Sequence, residues 1–121
     1  MEQHRVTAVI TTYRRSWSMI LRAVNSILQQ TVPVYELLII DDNGLGSPLQ
    51  QEIERECAKI SQIRYLAAER NGGVAAARNR AIASAKGDIL GYLDDDDEWC
   101  PDKLEKLLPL FDQSPDTGLV F

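Results

Sequence analysis

The sequence lacks the features that mark secreted, membrane-spanning and nucleic-acid-binding proteins. Its two cysteines, Cys57 and Cys100, lie far apart without metal-ligand spacing, which favours a reduced cytosolic protein, with one disulfide as the alternative. Residues 1–5 contain no apolar stretch of a signal peptide. No apolar run approaches the roughly 20 residues of a membrane span. With 13 basic against 18 acidic residues, binding to nucleic-acid phosphates is not expected.

Two common nucleotide-binding motifs are also missing. A dinucleotide-binding domain needs Gly-x-Gly-x-x-Gly after a strand, but residues 11–16 read Thr-Thr-Tyr-Arg-Arg-Ser. The Gly-Lys-Ser/Thr of a P-loop is absent. A phospho-receiver module would carry an acidic pair after its first strand, where this chain has Thr-Thr-Tyr. These three classes are therefore disfavoured.

What the sequence does contain is an alternation of strand-like and helix-like segments. Short β-branched apolar runs predict strands at residues 6–11, 35–40, 63–67 and 88–93. Helices are predicted from Trp17 to about Thr31, from Pro48 with an inner face to Ile60, from Val74 to Lys86, and from Pro101. Ser16 and Ser47 are predicted caps, Gly87 a helix end, and Pro109 a kink or end. The pattern predicts one α/β domain over residues 1–121, a Rossmann-like three-layer α/β/α arrangement with a mainly parallel sheet.

Polar segments follow each predicted strand, at residues 11–13, 41–43, 69–73 and 94–98. In parallel sheets, ligands bind beyond the carboxyl ends of the strands. We therefore expect all four segments to converge on one edge. The apolar ending from Gly118 to Phe121 predicts entry into a further strand, and so a longer parent protein. A sheet that is left incomplete exposes an edge, which favours self-association as a homo-oligomer.

The most informative segment is the acidic run from Asp94 to Glu98. It holds five of the 18 acidic residues, and without it the 13 basic residues would be balanced. Adjacent carboxylates repel one another unless a cation compensates. Mg²⁺ takes few protein carboxylates and completes its shell with waters and phosphate oxygens. A metal that bridges this run to a diphosphate is the functional interpretation, and a solvated acidic turn is the alternative. Because side chains alternate along an extended segment, Asp95 should point away from Asp94 and Asp96.

Three weaker signals lie at the other strand ends. Asp41 and Asp42 suit a base or a ribose hydroxyl of a nucleotide, although Asp-Asn-Gly is also an ordinary turn. The glycines at 72–73 open a helix whose N-terminus favours anions, and Arg78 follows within two turns. Tyr13 directly follows the first strand, where an aromatic ring can stack on a nucleobase.

Taken together, the order and spacing of these segments resemble family 2 glycosyltransferases, in the N-terminal half of their GT-A fold. The matching segments are Val9–Tyr13, Ser26–Thr31, Glu36–Asp42, Asn71–Asn79, Ala85–Gly87 and Leu93–Trp99 with Pro101–Glu105. The resemblance implies a metal-dependent, inverting transfer of sugar from a nucleotide diphosphate donor, usually UDP-linked, to a saccharide or lipid-linked acceptor. Polysaccharide or glycolipid synthesis, in the cytoplasm or at the inner face of a membrane, is the implied setting.

The resemblance also implies roles for single residues. Thr11 and Tyr13 fall where the family holds the base, Asp42 matches a carboxylate that pairs with the base, and Asp41 is adjacent. Arg78 matches an arginine of the nucleotide-side helix, Asp94 and Asp95 contact ribose and phosphate, and Asp96 binds Mn²⁺ or Mg²⁺.

The family's catalytic base and acceptor region are expected beyond Phe121, so this chain alone should bind metal and nucleotide without turnover. Its Thr-Thr-Tyr-Arg at residues 11–14 departs from the more usual Pro-Thr-Tyr-Asn. Two alternatives stay open at this point. One is a magnesium-dependent nucleotidyltransferase, and the other is a non-catalytic nucleotide- or metal-binding module.

Overall fold

Strands and helices alternate in the predicted order. The computed structural model describes residues 4–113, so the strand predicted at residues 118–121 lies outside the described residues. The strands are β1 (Val6–Thr12), β2 (Glu36–Asp41), β3 (Ile63–Ala67) and β4 (Ile89–Asp94). The helices are α1 (Trp17–Leu28), α2 (Pro48–Ala58), α3 (Gly73–Ser84) and α4 (Lys103–Gln113). All neighbouring strands pair in parallel, in the order β3-β2-β1-β4. The predicted α/β fold with a parallel sheet is confirmed.

The central strands are apolar throughout because both faces of the sheet are covered. One face carries Ala8, Ile10, Leu37 and Ile39, which pack with buried residues of α1, α2 and α4. The opposite face is covered by α3, an alanine-rich helix. Its core residues are Val9, Leu38, Ile40, Ala77 and Ala81. This division gives the predicted three layers and explains why β1 and β2 show no polar alternation.

Three strands extend one residue further than predicted at their carboxyl ends. Thr12 pairs in register with Asp41, and Thr11 pairs with Asp94. A polar side chain does not end a strand by itself, because the ladder is made by backbone groups. The polar side chains therefore leave the sheet from its last rung and are held at fixed positions.

The helix ends differ from the predictions for identifiable reasons. Ser47 caps α2 as predicted, since its hydroxyl accepts a hydrogen bond from the Gln50 N–H. Ser16 makes no such bond, because its hydroxyl pairs with that of Ser18 at 3.0 Å. α4 begins two residues later than predicted and continues through Pro109. Proline has no backbone N–H, so the carbonyl four residues before Pro109 lacks its helical hydrogen bond. Pro109 is exposed, so solvent can hydrate that carbonyl.

Gly87 does not end α3, which stops at Ser84 with Ala85 in an extended conformation. The following backbone leaves the helix to bind the start of the sheet. The Lys86 N–H donates to Glu36 Oε2 at 2.7 Å, and the Gly87 N–H donates to Thr7 Oγ1 at 2.9 Å. The Thr7 hydroxyl donates in turn to Glu36 Oε2 at 2.7 Å. A buried carboxylate thus joins β1, β2 and the connection into β4.

Glu36 should make the stability of this protein depend on acid pH. Burial raises the pKa of Glu36, but the Lys86 N–H, the Thr7 hydroxyl and Arg64 together hold it below its ordinary value. A carboxyl with a lowered folded pKa contributes its full stability above the unfolded pKa, and that contribution is lost as the pH falls through the folded pKa. We expect Glu36→Gln to flatten the acid limb of urea-unfolding free energies measured between about pH 7 and about pH 3. The exposed Glu105→Gln variant should keep that limb, and identical limbs in both variants would contradict the assignment.

No helix within residues 4–113 is long and apolar enough to cross a membrane.

Both cysteines are free thiols, with Cys57 buried and Cys100 exposed. Burial raises the pKa of the Cys57 thiol to about 12, so it stays protonated and is a poor nucleophile or metal ligand at neutral pH.

Candidate functional site

A cleft of about 290 Å³ opens at the carboxyl ends of β1 and β4. β2 and β3 lie on one side of β1, and β4 lies on its other side. The strand order therefore reverses at β1. Open α/β sheets form a ligand crevice at the carboxyl ends of the strands beside such a reversal. The residues that line the cleft are Thr11, Thr12, Tyr13, Arg15, Asp42, Val74, Ala77, Asp94, Asp95 and Asp96.

A second hollow of about 410 Å³ adjoins the cleft through Asp42. It is lined by residues 68–72 and by the first turns of α3. The four polar segments predicted to converge therefore do lie at one edge of the sheet. The convergence follows from the parallel arrangement, in which every strand ends at the same side.

The four aspartates of the acidic run divide into one inward and three outward side chains. Asp95 is buried, and its Oδ2 accepts from the Thr12 hydroxyl at 2.9 Å and from the Tyr13 N–H at 3.4 Å. Asp94, Asp96 and Asp97 are exposed, and one carboxylate oxygen from each lies within 4.8 Å of the others. The expected alternation is present, and the turn after β4 adds Asp97 to the outward group.

Asp41 and Asp42 are adjacent but have different surroundings. Asp41 is fully buried, and its oxygens accept from Asn43 and from the Tyr65 hydroxyl at 2.7 Å. Burial, followed by this bond to Asp41, raises the pKa of Tyr65. Asp42 faces the cleft and accepts from the backbone N–H groups of Gly72 and Gly73, both at 3.0 Å. Asp41 thus supports the loop, while Asp42 joins the cleft to the start of α3.

The loop after β1 is held in an unusual conformation beside the cleft. Arg14 has a φ of 57°, in the left-handed region that few non-glycine residues adopt. Its N–H donates to Asn43 Oδ1 at 2.7 Å, and its guanidinium lies 5.0 Å from the centre of the Tyr13 ring. Thr11 lines the cleft next to this loop. Tyr13 is 38% exposed as a residue, which leaves area for contact with a planar ligand.

Arg78 is not brought to this cleft. Its guanidinium lies 5.4 Å from the centre of the Tyr92 ring. There it lines a separate hollow with Asp94, Asp97 and Lys103. In the described chain, the cation that lines the cleft is Arg15, which the motif argument did not select.

Sequence reasoning also missed how the acidic run is fixed in place. The Gln30 amide donates to the Cys100 carbonyl at 2.6 Å and accepts from the Leu104 N–H at 3.1 Å. The Ser26 hydroxyl accepts from the Trp99 N–H at 3.1 Å. Ser26 lies in the last turn of α1, and Gln30 lies two residues past its end, where its amide also donates to the Ser26 carbonyl at 3.1 Å. The available signal was this pair of polar residues, four positions apart, at the end of the predicted amphipathic helix.

The sheet topology and the carboxylate-rimmed cleft define an α/β protein of the GT-A class. The fold is similar to that of S. aureus TarS in the crystal structure of residues 1–349, with a TM-score of 0.73 and 25% identity. The match covers 90% of this chain and 32% of that one. The chain belongs to the glycosyl transferase family 2, whose family model matches residues 7–121.

Two relatives carry provisional descriptions as enzymes of polysaccharide synthesis. TuaG of Bacillus subtilis, described as a teichuronic acid biosynthesis glycosyltransferase, is 36% identical over 104 residues. WcaA of Escherichia coli, described as a colanic acid biosynthesis glycosyl transferase, is 34% identical over 104 residues. The matches cover 85% and 83% of this chain, but only 40% and 37% of those proteins.

Proposed function

We propose that this chain is the donor-binding part of an inverting glycosyltransferase that takes a sugar from a nucleotide diphosphate, with UDP as the nucleotide. One observation carries the proposal: the exposed carboxylates of Asp94, Asp96 and Asp97 converge beside a cleft that also holds Tyr13 and Asp42. A nucleoside diphosphate offers an aromatic base at one end and a divalent-cation ligand at the other. The residues that line the cleft include a complement to each, with the Tyr13 ring for the base and exposed carboxylates for the cation.

The base end of the ligand is assigned to the loops after β1 and β2. Tyr13 presents a partly exposed ring for stacking, and Thr11 lies beside it. Asp42 lines the cleft with a carboxylate that accepts hydrogen bonds, as a base N–H or a ribose hydroxyl would require. Asp94 is exposed at the end of β4 and lines the cleft, and we assign it to the ribose. Asp41 and Asp95 hold these loops through buried hydrogen bonds.

The acidic cluster fits a hard divalent cation. Its donors are carboxylate oxygens, the ligand type that Mg²⁺ and Mn²⁺ prefer. The cluster is exposed, so waters and phosphate oxygens can complete a coordination shell. Asp96 is the proposed principal ligand, with Asp94 and Asp97 beside it. When bound, such an ion supplies Lewis-acid stabilisation of the charge that grows on the leaving diphosphate.

The chain's own residues then act by binding and orientation. We assign them to the base, the ribose and the diphosphate at the carboxyl ends of β1, β2 and β4. The base that deprotonates an acceptor hydroxyl in an inverting transfer is assigned to the region beyond Phe121. A saccharide or lipid-linked acceptor is proposed from membership of the family.

Calorimetry with UDP, GDP and CTP, each with and without Mn²⁺, tests the proposal. We expect UDP binding that requires Mn²⁺, and Asp96→Asn should weaken it by more than about tenfold because a ligand charge is lost. Glu98→Gln is the matched control, since it removes the same charge from an exposed position outside the cluster. Its UDP affinity should stay within about twofold of the parent protein.

Other outcomes identify the alternatives. Tight binding of CTP without preference for UDP would favour a nucleotidyltransferase. Nucleotide binding that ignores Mn²⁺ and survives Asp96→Asn would overturn the metal assignment. No binding of any nucleotide would leave a non-catalytic module.

A further inference from the structure

Arg15 bridges two neighbouring carboxylates at the mouth of the cleft. Its Nε lies 3.3 Å from Asp95 Oδ1, and its Nη2 lies 3.3 Å from Asp96 Oδ2. The arginine side chain is 40% exposed and that of Asp96 is 46% exposed. Both distances exceed the 2.7–2.9 Å typical of strong charge-assisted hydrogen bonds. The contact with Asp96 is therefore weak and accessible to solvent, so it can be exchanged for another.

The negative charge of Asp96 is shared between an ion pair and a cluster of carboxylates. Asp96 pairs with Arg15, and it belongs to the cluster with Asp94 and Asp97. A guanidinium next to a carboxylate lowers the affinity of that carboxylate for a second cation. In the described chain, Arg15 is therefore positioned to oppose metal binding at Asp96.

We propose that Arg15 is a diphosphate-binding residue that pairs with Asp96 only while no divalent ion occupies the acidic cluster. The proposal rests on the proposed function, because it names a further contact for the same donor. Once Asp96 is engaged elsewhere, Asp95 still holds the Arg15 Nε, and the Nη groups face the cleft without a carboxylate partner. A guanidinium presents a planar set of donors that matches phosphate oxygens. The anionic diphosphate in that cleft is then its partner.

This exchange predicts effects of opposite sign on two ligands. Arg15→Ala should tighten Mn²⁺ binding by roughly threefold in the absence of nucleotide, because a competing positive charge is removed. The same variant should weaken UDP binding by roughly tenfold at saturating Mn²⁺, because a charge-assisted bond to phosphate is lost. Both affinities are measured by calorimetry on the purified protein. Arg15→Lys should recover part of the UDP affinity, since it keeps the charge but not the planar donors.

Arg22→Ala is the matched control. Arg22 is 72% exposed, and its guanidinium lies 3.7 Å from Glu98 at the other end of the acidic run. The Arg22→Ala variant removes one positive charge beside the acidic run without changing a residue that lines the cleft. The affinities for Mn²⁺ and for UDP should therefore stay within about twofold of the parent protein.

Three results would overturn the inference. Parallel losses of Mn²⁺ and UDP affinity in Arg15→Ala would show that Arg15 only maintains the loop. Unchanged UDP affinity in Arg15→Ala, with Mn²⁺-dependent UDP binding in the parent protein, would remove Arg15 from the site and leave the proposed function standing. A parent protein that binds neither ligand would fail the proposed function itself.

Discussion

Replacing Gly87 with alanine is expected to lower the free energy of unfolding by roughly 3 kcal/mol, because the added methyl group meets backbone. An alanine Cβ at this position would lie 2.5 Å from the Arg5 carbonyl oxygen and 2.8 Å from the Thr7 nitrogen. Neither atom is the end of a flexible side chain, so the strand or the connection must move. Movement would also lengthen the hydrogen bond from the Gly87 N–H to the Thr7 hydroxyl. Urea denaturation at neutral pH measures the loss.

Gly72→Ala is the control for this prediction. Its Cβ would lie 3.2 Å from the Ala76 side chain and would meet no backbone atom at close range. Gly72 also has a negative φ of −114°, so alanine is not strained there. We expect a change below about 1 kcal/mol. Equal losses in the two variants would show that the approach of Gly87 to β1 is not what restricts this position.

The second large effect is expected from Gln30→Leu, which should destabilise the protein by roughly 3 kcal/mol. Leucine keeps similar volume but removes bonds to the Ser26 and Cys100 carbonyls and to the Leu104 N–H. Gln30 is only 6% exposed, so these groups regain little hydration from solvent. Because Cys100 and Leu104 follow the acidic run, the variant should also weaken Mn²⁺ binding. Urea denaturation and calorimetry of the same preparation measure both losses.

Gln29→Leu provides the comparison for Gln30. Gln29 is the exposed neighbour at the end of α1, where it contributes its backbone N–H to the cap. The substitution keeps that N–H, so stability should change by less than about 0.5 kcal/mol. If Gln30→Leu lost stability but kept full Mn²⁺ affinity, the proposal that Gln30 anchors the acidic run would be refuted.

Local sequence was sufficient to predict most of the elements but not their ends. β3 was predicted at residues 63–67 and lies there, because its bounds depend on a short β-branched and aromatic run between turn residues. The end of α1 was misplaced. Gln29 and Gln30 are compatible with a helix, yet Gln30 leaves it to bind a segment about 70 residues away. The end of α3 was misplaced for the same kind of reason, since Lys86 and Gly87 bind the first rungs of the sheet.

The candidate site was likewise predictable in its location but not in the roles of its single residues. The sequence predicted that residues 11–13, 41–43, 69–73 and 94–98 meet, since parallel strands place their carboxyl ends together. The strand pattern did not separate Asp41 from Asp42, because both follow the strand predicted at residues 35–40, and only the family resemblance gave the base contact to Asp42. In the structure Asp41 is the last residue of β2. Nor did the sequence select Arg15, whose partners Asp95 and Asp96 lie about 80 residues later in the chain.

The sequence by itself determined the alternation of strands and helices, the parallel sheet and the clustering of carboxylates at one edge. These features follow from apolar periodicity and from short polar segments, which act over a few residues. Only the tertiary structure decided which aspartates face outward, which cation enters the cleft and which glutamine fixes the acidic run. Those choices depend on contacts such as the one between Thr12 and Asp95, which are 83 positions apart, and only the packed sheet brings such residues together.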